Sequence, residues 1–221
     1  MPGNNLHNNN QRRTSNFFDG YAHDFDAIYG ASGPFNRLIS AVFRRSMRRR
    51  YEKTLRMCGP TAGMTALDIG CGPGHYCLAL AQNGLHRVIG IDFAPEMINL
   101  ARARALESGV ANKCEFYEAD FQDYKFDQTF DFLICMGVLD YIPEPLSFIQ
   151  KAVSLTRRRA MFSLPIAEGF LAWQRKTRYK SKCDLFLYRR TEVERLFAWF
   201  SDYDVRIEKL NRDYFVTVDC Q

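Results

Sequence analysis

A glycine-rich turn is the feature of this sequence with the clearest chemical meaning. Residues 67–76 read Leu-Asp-Ile-Gly-Cys-Gly-Pro-Gly-His-Tyr, in which an apolar strand runs into glycines and then into a helical pattern. Glycine lets the backbone pass close to a bound ligand, because no Cβ stands between them. A nicotinamide dinucleotide site would require glycines at 70, 72 and 75, and position 75 is His75. The spacing therefore argues against a nicotinamide-dependent oxidoreductase.

Three acidic residues stand at or near the ends of predicted strands, where they suit a cationic ligand. Asp68 precedes the first glycine by two positions, Asp92 ends the second strand, and Asp120 follows the third. A carboxylate beside the turn would repel a pyrophosphate, but it is tolerable or helpful beside the sulfonium and ammonium groups of S-adenosylmethionine, which carries no phosphate. We expect Asp68 to act through the turn, by orienting backbone groups and water. Asp92 can accept hydrogen bonds from both ribose hydroxyls, and Asp120 can accept one from the adenine amino group.

An alternation of strands and helices places these residues at one edge of a sheet. The predicted strands are 64–69, 87–91, 113–118, 130–136, 159–164, 203–210 and 214–219. The predicted helices are 72–82, 94–108, 144–155 and 190–199. Apolar strands separated by helices indicate a mostly parallel sheet with helices on both faces, closed by an antiparallel pair. Ligands bind outside the carboxyl ends of such strands.

Residues of about 64–165 resemble a class I S-adenosylmethionine-dependent methyltransferase. Four motifs carry the resemblance, in the usual order and spacing: the glycine turn, Asp92, Asp120 and the fourth-strand segment 131–137. The resemblance implies a Rossmann-like, seven-stranded, mostly parallel sheet with an antiparallel last strand, and S-adenosylmethionine as cofactor. Together with the reasoning from the residues, it predicts these cofactor-binding positions: Asp68, Gly70, Cys71, Gly72, Gly74, Asp92, Phe93, Met97, Asp120, Phe121, Met136 and Gly137.

The ends of the chain resemble the small-molecule methyltransferases, including the magnesium-protoporphyrin and ubiquinone-pathway families. In these families an early tyrosine often folds over the cofactor, and the aromatic segment 17–29 offers Tyr21 and Tyr29; plain helix packing is the alternative. An insertion before the last helix commonly forms a substrate lid in this fold. Here it spans about 166–189, and its basic and aromatic residues favour an anionic or aromatic acceptor. A solvated amphipathic helix is the other interpretation of this insertion.

The order of these features predicts the domain organisation. We expect a polar, Asn-rich disordered lead over 1–14 and a helical N-terminal cap over 15–58. The cap prediction depends on apolar residues that recur at three- and four-residue steps until Gly59-Pro60 ends the pattern. The remainder, 59–221, is expected to form one methyltransferase domain, which suits a chain of 221 residues.

Methyl transfer makes modest chemical demands on a protein. It is an in-line displacement with a good leaving group, so proximity and alignment supply most of the help, about 7–11 kcal/mol in well-oriented systems. An oxygen nucleophile also needs a general base. Asp140 and Tyr141 are the candidates, where relatives of this fold often carry histidines. The alternative for Asp140 is an ordinary loop acid.

Composition and charge restrict the setting of the protein. Seven cysteines without a C-x-x-C pair argue against a disulfide framework and a zinc site, and favour free thiols in a reducing cytoplasm. No run reaches the roughly 18 apolar residues of a membrane span, and the N-terminus lacks the pattern of a signal peptide. The net charge of +5 is concentrated in the arginine runs 44–50 and 157–159. These runs fit a solvated helix face and a charged loop, or a surface that attracts an anion.

The sequence favours a methyltransferase that acts on a small molecule, because the cap and the lid indicate an enclosed pocket. An RNA or protein methyltransferase is the first alternative, supported by the arginines at 44–50. The chain has no aromatic-basic RNA motif and no Asn/Asp-Pro-Pro-Tyr motif after strand four, so a nucleic-acid partner is not expected. The second alternative is a cofactor-binding protein without catalysis. The oligomeric state and the identity of the acceptor have no signal in the residues.

Overall fold

The computed structural model of the chain describes residues 34–59, 62–169, 172 and 184–220. Several predicted features lie outside these residues. They are the lead 1–14, the first part of the predicted cap, Tyr21, Tyr29, and most of the predicted lid between 170 and 183.

Strands and helices alternate along the described chain, as the hydrophobic pattern predicts. The strands are β1 (Thr65–Ile69), β2 (Arg87–Asp92), β3 (Cys114–Glu118), β4 (Phe130–Cys135), β5 (Thr156–Pro165), β6 (Asp204–Leu210) and β7 (Asp213–Asp219). The helices are α1 (Pro34–Cys58), α2 (His75–Gln82), α3 (Pro95–Glu107), α4 (Pro145–Ser154) and α5 (Arg190–Phe197). Two short 3₁₀ helices cover Leu139–Tyr141 and Ala198–Phe200. Every element predicted after residue 63 is present, with bounds that differ by a few residues.

The seven strands form one sheet in the order β3-β2-β1-β4-β5-β7-β6. β7 is antiparallel to both of its neighbours, and the other adjacent pairs are parallel. The strand order reverses at β1, which pairs with β2 on one side and β4 on the other. Such a reversal opens a crevice at the carboxyl ends of the strands. The predicted Rossmann-like sheet with an antiparallel last strand is confirmed.

Two hydrophobic clusters cover the two faces of the sheet. Successive strand residues point to opposite faces, so Ala66 and Leu67 of β1 belong to different clusters. Leu67 lies in the cluster that includes Phe148 of α4 and residues of α5. Ala66 lies in the other cluster, with Leu80 of α2 and Cys58 at the end of α1. Helices therefore bury both faces of the central strands, which explains why those strands are apolar throughout.

The arginine run 157–159 lies within β5, so its interpretation as a charged loop is wrong. Arg157 pairs with Asp131 of β4 at 2.8 Å, and Arg159 pairs with Asp219 of β7. These pairs lie toward the amino end of β5, away from the crevice. Arg157 and Arg159 therefore link β5 to its neighbouring strands through carboxylates.

The six described cysteines are free, and five of them are buried. Among the described residues no group of His, Cys, Asp and Glu is arranged to hold a metal ion. In the same part of the chain, no helix combines the length and apolar character that crossing a membrane requires.

The core packing predicts a large loss of stability for Phe162→Ala. Phe162 is fully buried in β5, and its ring centroid lies 5.5 Å from that of Phe197 in α5. Truncation leaves a cavity between sheet and helix, and we expect a loss of about 3–5 kcal/mol in the free energy of unfolding, measured with urea. The control is Leu106→Ala, whose side chain is 74% exposed and should change stability by less than about 0.5 kcal/mol. A loss of stability in Phe162→Ala as small as that in Leu106→Ala would contradict the assignment of Phe162 to the core.

Candidate functional site

The predicted site residues converge at the carboxyl ends of β1, β2 and β4. Asp68 lies in β1 just before the glycine turn, and Asp92 is the last residue of β2. Met136 and Gly137 follow β4. Because β1 is hydrogen-bonded to both other strands, these segments are neighbours at the point where the strand order reverses.

The glycine turn is closed on one side and open on the other. Gly70, Gly72 and Gly74 all have positive φ, at 64°, 51° and 81°. A Cβ on Gly70 would collide with Cγ2 of Val138, whereas a Cβ on Gly72 would meet no atom of the described residues within 4 Å. Among these residues the backbone at Gly72 is therefore uncovered, which is what a cradle for a ligand requires.

Asp92 fastens this turn to the second strand and the third helix. Its Oδ2 accepts a hydrogen bond from the Gly72 N–H at 2.8 Å, and its Oδ1 accepts one from Ala94 at 3.0 Å. The N–H groups of Gly70 and Cys71 both donate to the Ile91 carbonyl, at 2.8 and 3.1 Å. A carboxylate offers about four acceptor sites, so a half-buried Asp92 can hold the turn and also accept ligand hydroxyls.

Asp68 is buried beneath the turn, with 1% of its surface exposed. Burial raises the pKa of its carboxyl to about 8; the thiol of Cys77, 3.4 Å from Oδ2, lowers it and Asp92 raises it further. A Cβ on Gly90 would fall 2.9 Å from the sulfur of Cys71 and 3.0 Å from that of Cys77. Asp68 is therefore enclosed by thiols and strand backbone, and a positive charge brought to this edge would favour its ionised form.

The remaining predicted residues lie on the adjacent part of the edge. Phe93 directly follows β2 and is half-buried, and Met97 is buried in the first turn of α3. Asp120 follows β3, which pairs with β2, and its Oδ1 accepts the Gln122 N–H at 2.7 Å. Phe121 is buried, and its ring centroid lies 4.8 Å from that of Phe148 in the core.

A lysine that the sequence did not single out holds the loop after β3. Lys151 of α4 donates from Nζ to the carbonyls of Phe121, Gln122 and Tyr124, at 2.7, 3.0 and 2.7 Å. Nζ also lies 4.9 Å from the centroid of the Phe121 ring. Since an ammonium has three donors, this arrangement uses them all and ties the loop that carries Asp120 to α4.

A buried arginine from α1 lies at the same edge. Arg50 is 7% exposed, and its Nη1 donates to Oγ of Ser163 at 3.1 Å and to Oδ2 of Asp213 at 3.3 Å. The Gly137 N–H donates to the same Ser163 Oγ at 2.8 Å. Nη2 of Arg50 would lie 3.6 Å from a Cβ on Gly137. The guanidinium is thus placed beside the residues that follow β4.

Arg50 is charged despite its burial. Burial lowers the pKa of the guanidinium, but the Tyr76 phenol and the carboxylates of Asp213 and Asp140 more than offset it, so that the pKa is raised. Its Nε is buried and has no hydrogen-bond partner among the residues that the structure describes. The guanidinium therefore keeps donor capacity that the described protein groups do not use.

For Arg50, the interpretation of the run 44–50 as a solvated helix face is wrong. Arg45, Arg48 and Arg49 are exposed, as that interpretation requires. Arg50 lies three residues after Met47 and four before Thr54, which is fully buried. This helical spacing was the available signal, because it puts Arg50 on the inward side of α1.

The two candidate bases lie on the 3₁₀ helix that follows β4. Asp140 is buried, with 2% exposed, and Tyr141 is half-buried. The Asp140 carbonyl accepts the Phe186 N–H at 2.7 Å, and the Tyr188 hydroxyl donates to the Leu139 carbonyl at 2.9 Å. The chain at 184–188 thus returns to the site from the far end of the predicted lid. The catalytic roles of Asp140 and Tyr141 stay predictions.

A Rossmann-like sheet with an open glycine turn and an acid at the end of β2 defines a class of proteins that bind nucleoside cofactors. Residues 60–182 match the family described as the methyltransferase domain, which is more than half of this chain. The chain belongs to this methyltransferase-domain family.

Individual relatives agree with this assignment. A ubiquinone biosynthesis O-methyltransferase of Xanthomonas euvesicatoria pv. vesicatoria (strain 85-10) is 31% identical over 158 residues, covering 69% of this chain and 62% of the relative. The match therefore spans less than two thirds of that relative's length. Magnesium protoporphyrin IX methyltransferase of Synechocystis PCC 6803, solved with bound S-adenosylhomocysteine, superposes with a TM-score of 0.75. It is 18% identical, and the match covers 96% of this chain and 100% of that one, so the likeness concerns the fold.

Burial of Asp68 predicts a distinctive dependence of stability on pH. Its pKa is about 8 in the folded chain, against about 3.9 for an unfolded Asp, so the folded state holds an extra proton between these values. The contribution of Asp68 to stability is complete below pH 4 and is lost as the pH rises toward 8. Asp68→Asn removes this loss, so the free energy of unfolding of the variant relative to wild type should rise by about 1 kcal/mol per pH unit between pH 5 and 7. If urea denaturation gave the two proteins free energies of unfolding that change with pH in the same way, Asp68 would not be a buried, protonated carboxyl.

The three bonds of Lys151 predict that Lys151→Met loosens the loop after β3. Methionine keeps the length of the side chain but leaves three carbonyls without their donor, which should lower stability by about 1–3 kcal/mol. Amide hydrogen exchange at 119–126 should accelerate more than exchange in β1. Lys113→Met is the matched control, since Lys113 donates a single 3.4 Å bond, to the Ala81 carbonyl. Unchanged exchange at 119–126 would show that the loop does not depend on Lys151.

Proposed function

We propose that this protein transfers the methyl group of S-adenosylmethionine to a small-molecule acceptor. One observation carries the proposal: no described residue covers Gly72, and its N–H donates to the carboxylate of Asp92. An open backbone cradle beside a strand-end acid suits a ligand with a ribose and no phosphate. The family assignment supports the same activity.

The charges at the edge fit the groups of this cofactor. S-adenosylmethionine carries a sulfonium and an ammonium, which suit an edge that contains Asp68 and Asp92. It also carries a carboxylate, and the guanidinium of Arg50 beside Gly137 has the planar fork of donors that binds carboxylates best. We propose that Asp92 binds the ribose, Asp120 the adenine amino group, and Arg50 the carboxylate of the methionine part.

The chain's own residues would align the reactants and exclude water. The cofactor, when bound, supplies an electrophilic methyl group, so the protein must chiefly hold an acceptor in line with it. The 3₁₀ helix at 139–141 and the returning segment 184–188 border the site on the side of β4 and β5. For an oxygen acceptor, we propose that Asp140 or Tyr141 removes the proton.

The relatives support a small acceptor, since their names are ubiquinone biosynthesis O-methyltransferase and magnesium protoporphyrin IX methyltransferase. The predicted cap 15–58 and lid 166–189 would enclose it. Arg50 turns inward and pairs with Asp213, which weakens the support for an RNA substrate that the arginine run had offered. The buried free thiols support a reducing compartment, and we propose the cytoplasm.

Isothermal titration of the protein with S-adenosylmethionine tests the proposal. We expect micromolar binding to wild type and no binding of NADH. Asp92→Asn should weaken S-adenosylmethionine binding at least about tenfold, because it replaces an acceptor of two ribose hydroxyls with a side chain of the same shape. Glu96→Gln, an exposed carboxylate four residues later, is the control and should bind as wild type does. A folded wild-type protein that does not bind S-adenosylmethionine would refute the proposed function.

A further inference from the structure

We propose that Asp213 and Ser163, in the C-terminal part of the sheet, are positioning residues that hold Arg50 for the cofactor's carboxylate. The proposal rests on the proposed function, since it assigns these two residues to the methionine end of the same site. It gives β7, which lies beyond the residues 60–182 that match the family, a part in cofactor recognition that acts through Arg50.

The geometry joins three separate parts of the chain at one guanidinium. Arg50 comes from α1, Ser163 from β5 and Asp213 from the start of β7. The Ser163 Oγ accepts from both Arg50 Nη1 and the Gly137 N–H, so one hydroxyl sets the guanidinium relative to the backbone after β4. Gly137 has φ 79° and brings its backbone close to Nη1 and Nη2 of Arg50.

The burial of the pair explains why Asp213 is an acid. The side chains of Arg50 and Asp213 are 9% and 11% exposed, so a long and flexible arginine is held inside the protein beside a carboxylate 3.3 Å away. Tyr76 and Asp140 also stabilise the buried guanidinium, but without the ion pair to Asp213 it would lose the carboxylate that fixes its direction and would turn toward water. A cofactor carboxylate would then meet a displaced or disordered donor and would bind more weakly.

The turn between β6 and β7 sets the position of Asp213. Asn211 has φ 58° in this turn, and the Arg212 carbonyl accepts the Ile166 N–H at 3.0 Å. Asp213 is paired with Pro165 at the carboxyl end of β5, and Ser163 lies two residues earlier on that strand. The antiparallel course of β7 is what brings its first residue to the carboxyl ends of the parallel strands. A parallel last strand would place Asp213 at the opposite edge.

Two ligands that differ in one part separate a positioning role from a merely structural one. S-adenosylhomocysteine carries the amino-acid carboxylate, and 5′-methylthioadenosine lacks the whole amino-acid group. Titration of both into Asp213→Asn and Ser163→Ala should show S-adenosylhomocysteine weakened about tenfold and 5′-methylthioadenosine changed less than about twofold. The smaller Ser163→Ala change keeps the test available if Asp213→Asn is unstable.

Asp219→Asn is the matched control. Asp219 lies on β7, as Asp213 does, but at the opposite end of the strand, where it pairs with Arg159 of β5. The substitution should leave the affinities for both ligands unchanged. Equal weakening of both ligands in Asp213→Asn would overturn the proposal in favour of a general structural role. Tighter binding of S-adenosylhomocysteine would overturn it as well, because Asp213 would then compete with the ligand for Arg50. Failure of wild type to bind either ligand would instead refute the proposed function.

Discussion

The hydrogen bond between the Asp92 carboxylate and the Gly72 N–H is the interaction on which the site depends. It joins a turn that only glycine can make to a strand that the sheet holds rigidly. The turn cannot collapse onto β2, because the same carboxylate also accepts the Ala94 N–H at the start of α3. The protein's own hydrogen bonds therefore fix the shape of the turn, so that ligand binding does not have to supply the free energy for forming it.

Two cationic side chains, the half-buried Lys151 and the buried Arg50, hold the rest of the site, and each does so by a different means. Lys151 donates three hydrogen bonds to backbone carbonyls and fixes the loop that carries Asp120, the residue proposed to bind adenine. Arg50 pairs with a carboxylate and a hydroxyl, and one of its donors has no partner among the described residues. We interpret the first as a closed structural clamp and the second as a group held ready for an anion, because only the second keeps donor capacity.

Reasoning from single segments explains which parts of the site could be predicted. Asp92 and the glycines were found because each belongs to a short motif at the end of an apolar strand, and such strands end at a common edge. Arg50, Ser163 and Asp213 belong to no local motif, and their relation exists only where α1, β5 and β7 meet. The exposed arginines around Arg50 made the whole run resemble a solvated helix face, although the spacing of Arg50 from Met47 and Thr54 placed it on the inward side of α1. The interpretation of 157–159 as a charged loop is wrong for a similar reason, because the carboxylates that pair with Arg157 and Arg159 lie on other strands.

The sequence by itself determined the class of fold, the order of the elements and the cofactor turn. It could do so because hydrophobic periodicity and glycine requirements act within about ten residues of the chain. Only the tertiary structure decided which charges are buried and what they hold, since burial and pairing depend on residues more than a hundred positions apart, such as Arg50 and Asp213. Tertiary structure also decided that Asp68 keeps its proton near neutral pH, because desolvation comes from packing on all sides and has no counterpart in a linear motif.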